Sequence, residues 1–151
     1  MSVISCQLSV ISIRIANRQK RLAVDRRCIR RAIRAILADA HVANAQISVA
    51  IVDDVTIAAL HGEFLHDPTP TDVLSFVLEQ SPACLEGEVV VSAETAAAAA
   101  PRFACTPGEE LLRYVIHGML HLTGHDDRTA AQRRRMRAHE TEYLARAMRD
   151  G

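Results

Sequence analysis

Residues 117–127 read HGMLHLTGHDD, and three imidazoles with two carboxylates in so short a stretch are the ligand types of a transition-metal site. His117 and His121 are four apart, which on a helix stacks them on one face about 6 Å from each other, near enough to reach one ion. His125 continues the row at i+8, but a straight helix carries it about 12 Å along the axis, too far to share that ion. The chain must therefore turn, and Gly124 can supply the left-handed residue that ends a helix. A reversal there swings residues 125–127 back towards the pair and offers Asp127 or His125 as a third ligand. Three protein ligands with water in the fourth position is the layout of catalytic zinc. The bland alternative is a polar stripe on an ordinary helix. Zinc proteases of the H-E-x-x-H kind carry a glutamate base after the first histidine, and Gly118 stands there, which disfavours peptide hydrolysis by that route. An open zinc still activates water and polarises a phosphoryl oxygen, so phosphodiester hydrolysis stays available.

Several elements must hold this segment in place. SVISIRI at 9–15 alternates as a half-buried strand does. Asp25 opens a helix to about Ala40, with Cys28 or Ile29, Ala32, Ile33, Ile36 and Leu37 as its apolar stripe. QISVAIV at 46–52 predicts a second strand, and Asp53 and Asp54 cap a helix through about Phe64. HDPTPTD at 66–72 is a loop, because Pro68 and Pro70 remove donors and fix φ. Val73 to Leu78 and Glu88 to Ser92 predict two more strands, separated by the turn-prone QSPACLEG. A helix from near Ser92 runs through alanines 96–100 to Pro101. Glu109 to Leu122 has a broad stripe of Leu112, Val115, Ile116, Met119, Leu120 and Leu122, as a buried central helix requires. A last helix spans about Thr129 to Met148. This order describes an α+β or mixed-sheet domain.

Composition narrows the class. With 151 residues, 49% of them hydrophobic, the chain can build one sizeable core, and a single domain over 1–151 is expected. The hydrophobic runs are broken well before the ~18 residues of a membrane span, and the N-terminus lacks a basic segment before an apolar stretch, so a cytoplasmic protein without a membrane partner is expected. Cys6, Cys28, Cys84 and Cys105 form no C-x-x-C pair and read as idle thiols. Net charge is zero but unevenly laid out: residues 1–38 balance to +8, 39–100 to −10 with no Lys or Arg, and the remainder to +2. The helix carrying Arg26, Arg27, Arg30, Arg31 and Arg34 can track a phosphate backbone, or can be a solvated face beside acidic neighbours.

HGMLHLTGHDD resembles the hallmark of the YbeY family of bacterial endoribonucleases, H-G-x-L-H-L-x-G-Y-D-H. It departs from it at His125, where the family has tyrosine, and at Asp127, where it has a third histidine. The block T-D-V-L-S-F stands unchanged at Thr71 to Phe76. EGEVVVSAETA at 86–96 is similar to the family's G-D-I-x-I-S segment, and Met136, Glu140 and Leu144 match its M-x-x-x-E-x-x-L pattern. The first eight residues or so have no counterpart and form an added N-terminal segment.

The resemblance implies a small mixed sheet flanked by about five helices, with a zincin-like central helix carrying the site. It implies one Zn2+ per chain on His117, His121 and Asp127, the two histidines being catalytic through the metal-bound water. It implies cleavage of single-stranded rRNA in maturation of the 3′ end of 16S rRNA, ribosome quality control, and the small ribosomal subunit as partner. Leu65 stands where many members have an arginine. If that arginine binds the scissile phosphate, another cation must do so here: Arg113, Arg128, the basic helix or His66. His125 and Asp126 are neighbours of the ligands with roles left open between support and ligation. Asp72 and Ser75 either line the cleft or satisfy backbone groups. A metal hydrolase of another substrate and a ribosome-assembly factor with residual catalysis are the rival readings.

Overall fold

The computed structural model describes residues 10–65, 71–81 and 84–149, with the side chains of 64 and 65 outside the description. The N-terminal segment, Cys6, most of the HDPTPTD loop and with it His66 lie outside the described residues. Four strands, β1 (Val10–Asn17), β2 (Asn44–Val52), β3 (Val73–Gln80) and β4 (Leu85–Ser92), form one sheet in the order β1-β2-β4-β3. β1, β2 and β4 run parallel and β3 is antiparallel to β4, so the sheet is mixed. Around it lie α1 (Arg26–Asp39), α2 (Asp54–Leu65), α3 (Ala93–Ala99), α4 (Pro107–Leu122) and α5 (Ala130–Arg149). The expected α+β class and element order are what the structure has, with shifts at the ends.

Those shifts have local causes. β4 begins three residues before the expected Glu88 because Leu85 and Gly87 are already paired into the ladder, both buried, a pattern that a Gly and two glutamates disguise. α4 starts at Pro107 rather than Glu109. Thr106 accepts from the Glu109 amide while the Glu109 side chain accepts from the Thr106 amide, and proline at the first helical position loses no bond. The alanine helix stops at Ala99, and Pro101 sits in a 3-10 turn, 100–103, closed by Ala104 at φ 54°.

One face of the sheet buries Ile13, Ile15, Ile47, Val49, Val89 and Val91 in a core shared with α1 and α4, on which α5 packs in turn; α2 covers part of the other through Ile57 on Val52, Leu74 and Val90. α4 is the centre of the main core, with Val115, Ile116, Met119 and Leu120 at 0% exposure. The C-terminal end of α1 is tied to α5 at one carboxylate: Asp39 Oδ2 accepts from the Tyr143 hydroxyl at 2.7 Å and from Arg146 at 2.8 Å. Burial, then the bond to Asp39, pushes the Tyr143 phenol up to about 12. The Tyr143 and Arg146 hydrogen bonds hold Asp39 below its ordinary value. A lowered carboxylate stabilises the fold above its unfolded pKa, and that contribution is lost as pH falls through the folded value. Tyr143→Phe is expected to cost about 0.5–1.5 kcal/mol at neutral pH, or roughly 1–6 °C in Tm. Scanning calorimetry should show the gap to the wild type close in strong acid.

Candidate metal centre

α4 presents His117 and His121 one turn apart, with ring centroids 4.7 Å from each other and Nε2 atoms 3.1 Å apart. The helix ends by a reversal at Gly124, φ 102°. The His125 amide bonds to the Leu120 carbonyl at 2.9 Å and the Gly124 amide to His121 at 3.1 Å, the paired bonds of a Schellman motif. From there the chain is pinned at its far end. Thr129 caps α5 through the Gln132 amide, and the Gln132 side chain accepts from the amides of Arg128 and Thr129. Arg133 bonds the carbonyls of Asp127 and Arg128.

The result puts Asp127 Oδ2 at 3.5 Å from His117 Nε2 and 3.4 Å from His121 Nε2. Zinc bonds to nitrogen and carboxylate oxygen are about 2.0–2.1 Å, and a tetrahedron built on them has edges of about 3.3–3.4 Å. Edges of 3.1, 3.4 and 3.5 Å are therefore one face of such a tetrahedron, and the donor set fits a zinc-sized ion with the fourth direction open. Among the described residues this is the group of three that can hold a metal.

His117 is oriented from behind. Its Nδ1 lies 2.6 Å from Glu140 Oε2 on α5, and the other Glu140 oxygen is 3.6 Å from Arg113. A carboxylate there keeps the proton on Nδ1 and leaves Nε2 as the ligand atom. Burial by itself lowers the His117 pKa, but the hydrogen bond and charge of Glu140, with the charges of Asp127 and Asp72, outweigh it and raise the value.

Gly118 is explained by packing. A Cβ there would lie 2.7 Å from Val89 Cγ1 and 3.2 Å from Val73 Cγ2, so α4 rides directly on β4 and β3, and the position occupied by the protease glutamate faces the sheet. Gly118→Ala is expected to lower stability by about 1–3 kcal/mol through overpacking, measured as a fall of roughly 2–12 °C in Tm.

Comparison with known proteins agrees with this architecture. The family model described as endoribonuclease YbeY matches residues 14–148. The chain belongs to the endoribonuclease YbeY family. It is 34% identical to endoribonuclease YbeY of Geobacter metallireducens over 93% of this chain and 99% of that one. Against that of an Anaeromyxobacter species it is 40% identical over 91% and 72%. With the Rhodopirellula baltica protein of the same name it shares 48% identity over 62% of this chain, spanning half the length of that relative. The solution structure of TM1509 from Thermotoga maritima superposes with a TM-score of 0.65 at 26% identity, covering 91% of this chain and 90% of that one. Family membership makes this chain one of a group of RNA-cleaving hydrolases.

Within that family frame the remaining candidates separate. His125 is not one of the three grouped donors; its ring lies 4.9 Å from that of His139, and burial followed by the charges of His139 and His121 lowers its pKa. Asp126 accepts from the Asp127 amide at 3.0 Å and pairs with Arg128 at 3.4 Å; the Arg128 side chain is 85% exposed. Asp72 lines a cleft beside His117, while its carbonyl accepts from Ser92. Ser75 pairs with Val89 in the sheet. On the basic helix, Arg26 and Arg30 donate to the carbonyls of Ile15 and Ile13 on β1, blunting that sheet edge. Arg31 donates to Ala147 near the end of α5. The guanidiniums of Arg27 and Arg34 make no hydrogen bond or ion pair among the described residues. α1 packs along β1, whereas the triad lies towards β3 and β4. Along the chain, Glu140 stands out only as part of the M-x-x-x-E-x-x-L pattern. Its signal was a carboxylate within the α5 stripe of Met136, Tyr143 and Ala147, all buried.

Proposed function

We propose that this chain is a zinc-dependent endoribonuclease specific for single-stranded RNA, a single domain over residues 1–151. In this reading it acts in the cytoplasm on the small ribosomal subunit, in maturation of the 3′ end of 16S rRNA and in ribosome quality control. The observation that carries the reading is the triangle of His117, His121 and Asp127 donor atoms at the spacing of a tetrahedral zinc face in a chain of an endoribonuclease family. Zinc held there supplies Lewis acidity towards a phosphoryl oxygen and lowers the pKa of a water. The chain's own groups do the rest. Glu140 holds His117 in the ligating tautomer, Arg113 holds Glu140, and Gly118 brings α4 onto the sheet where a protease would place its base. The carboxylate of Asp127 makes the site less positive by one charge than three imidazoles would.

The test is direct. Purified protein with one zinc per chain should cut a single-stranded oligoribonucleotide and leave the matching duplex and casein whole. Casein hydrolysis with intact RNA would overturn the reading. Leu65 in place of the family's usual arginine favours a second reading, an assembly factor with residual catalysis. There, association with ribosomal particles survives His121→Ala and only the residual RNA trimming changes.

A further inference from the structure

Between His117 and the 3-10 turn at 100–103 lies a cleft of about 540 Å³, within the ~300–1,000 Å³ of pockets that take small ligands. His117 and Glu140 border it on one side, Arg102 and Phe103 on the turn on another, and Arg137 reaches it from α5. The three guanidiniums here are not equivalent. Arg113 is occupied by Glu140 at 3.6 Å and Thr141 at 3.5 Å. Those of Arg102 and Arg137 make no hydrogen bond or ion pair among the described residues. Of the carboxylates, Glu140 is engaged with His117, and Glu110 is buried and accepts from the Cys105 thiol. Asp72 is left on the side of the metal ligands.

Phe103 is 56% exposed, although it belongs to an ordered turn whose next residue, Ala104, is left-handed at φ 54°. The turn holds the ring out at the cleft rather than in the core. An aromatic face beside uncommitted cations is what single-stranded nucleic acid requires, since bases stack on the ring and phosphates meet the charges.

We propose that Phe103, Arg102 and Arg137 form a nucleotide subsite for the substrate strand, the base on the Phe103 ring and flanking phosphates on the two arginines. The next phosphodiester along the strand is thereby delivered to His117, His121 and Asp127. This rests on the endoribonuclease reading above and supplies the cations that Leu65 lacks. A paired, stacked base has no free face to offer the ring, so the subsite selects single strands.

Anisotropy of a fluorescein-labelled, 2′-O-methyl single strand on the zinc-loaded protein, over a salt series, tests the subsite. Phe103→Ala should weaken binding about 5- to 150-fold, the range for loss of one stacked base, and Phe103→Trp should restore it. The double variant Arg102→Gln, Arg137→Gln should flatten the slope of log K against log salt by about 1.4, two phosphate contacts at ~0.7 each. Zinc content and circular dichroism of these surface variants should match the wild type. Wild-type affinity and slope in the variants would overturn the subsite while RNA cleavage by the wild type left the enzymatic reading standing. A wild type that neither binds nor cuts single-stranded RNA would overturn both.

Discussion

His121→Ala is expected to reduce bound zinc from about one per chain to a small fraction after gel filtration, with cleavage falling in proportion. Loss of one of three protein ligands should exceed the roughly 10–100-fold cost of losing a group that only orients a ligand. The structure gives the reason: the Nε2 atoms of His117 and His121 and one Asp127 oxygen are mutually 3.1–3.5 Å apart, and no fourth His, Cys, Asp or Glu joins them among the described residues. Asp127→Ala should behave in the same way, whereas Asp127→His should retain the ion. The imidazole removes one negative charge, so the acidic limb of the pH-rate profile should move to lower pH. Elemental analysis reads the first result and steady-state kinetics the second. Full zinc in His121→Ala would refute the ligand set, and superimposable profiles for Asp127→His would show that the carboxylate does not touch the ion.

Glu140→Gln tests the group behind the ligand. It should weaken zinc by about 10–100-fold, with activity recovered in excess metal, a rescue that His121→Ala should not share. The variant also has a proton signature. Because Glu140 and its neighbours raise the His117 pKa against the effect of burial, zinc must displace a proton from His117 over a wider pH range in the wild type. Calorimetric titration in two buffers of different ionisation heat should show more protons released by the wild type than by Glu140→Gln near pH 6.5. In the metal-free protein the raised value has a consequence for stability. The contribution of protonated His117 is fully present below its unfolded pKa of about 6.5 and is lost as pH rises through the folded value. Unfolding of the apo protein should therefore show a smaller stability loss between pH 6 and 8 in Glu140→Gln than in the wild type.

Much of this architecture is local and so legible along the chain. The i, i+4 histidine pair, the glycine that must end its helix and the alternation of Ile13, Ile15, Ile47 and Val49 are set by helical and strand geometry over a few residues. They fix which groups share a face before any tertiary contact forms. That is why the α+β order and the reversal at Gly124 follow from the residues alone. The ends of β4 and α4 were less legible, since a buried glycine and a proline at the first helical position conceal regular structure.

What only the tertiary structure decided is how side chains far apart in sequence meet. Arginines 26, 30 and 31 are indistinguishable from a phosphate-tracking face until β1 and the end of α5 supply the carbonyls they bond. Glu140 is one more charge on a polar helix until α5 docks on α4 and brings it to 2.6 Å from His117. Arg102, Phe103 and Arg137 likewise acquire a common cleft only through the packing of α3, α4 and α5. Periodicity determines the face on which a residue lies, but the partner across that face depends on how separate elements bury their apolar stripes together, and charge pairing at the seams follows from that packing.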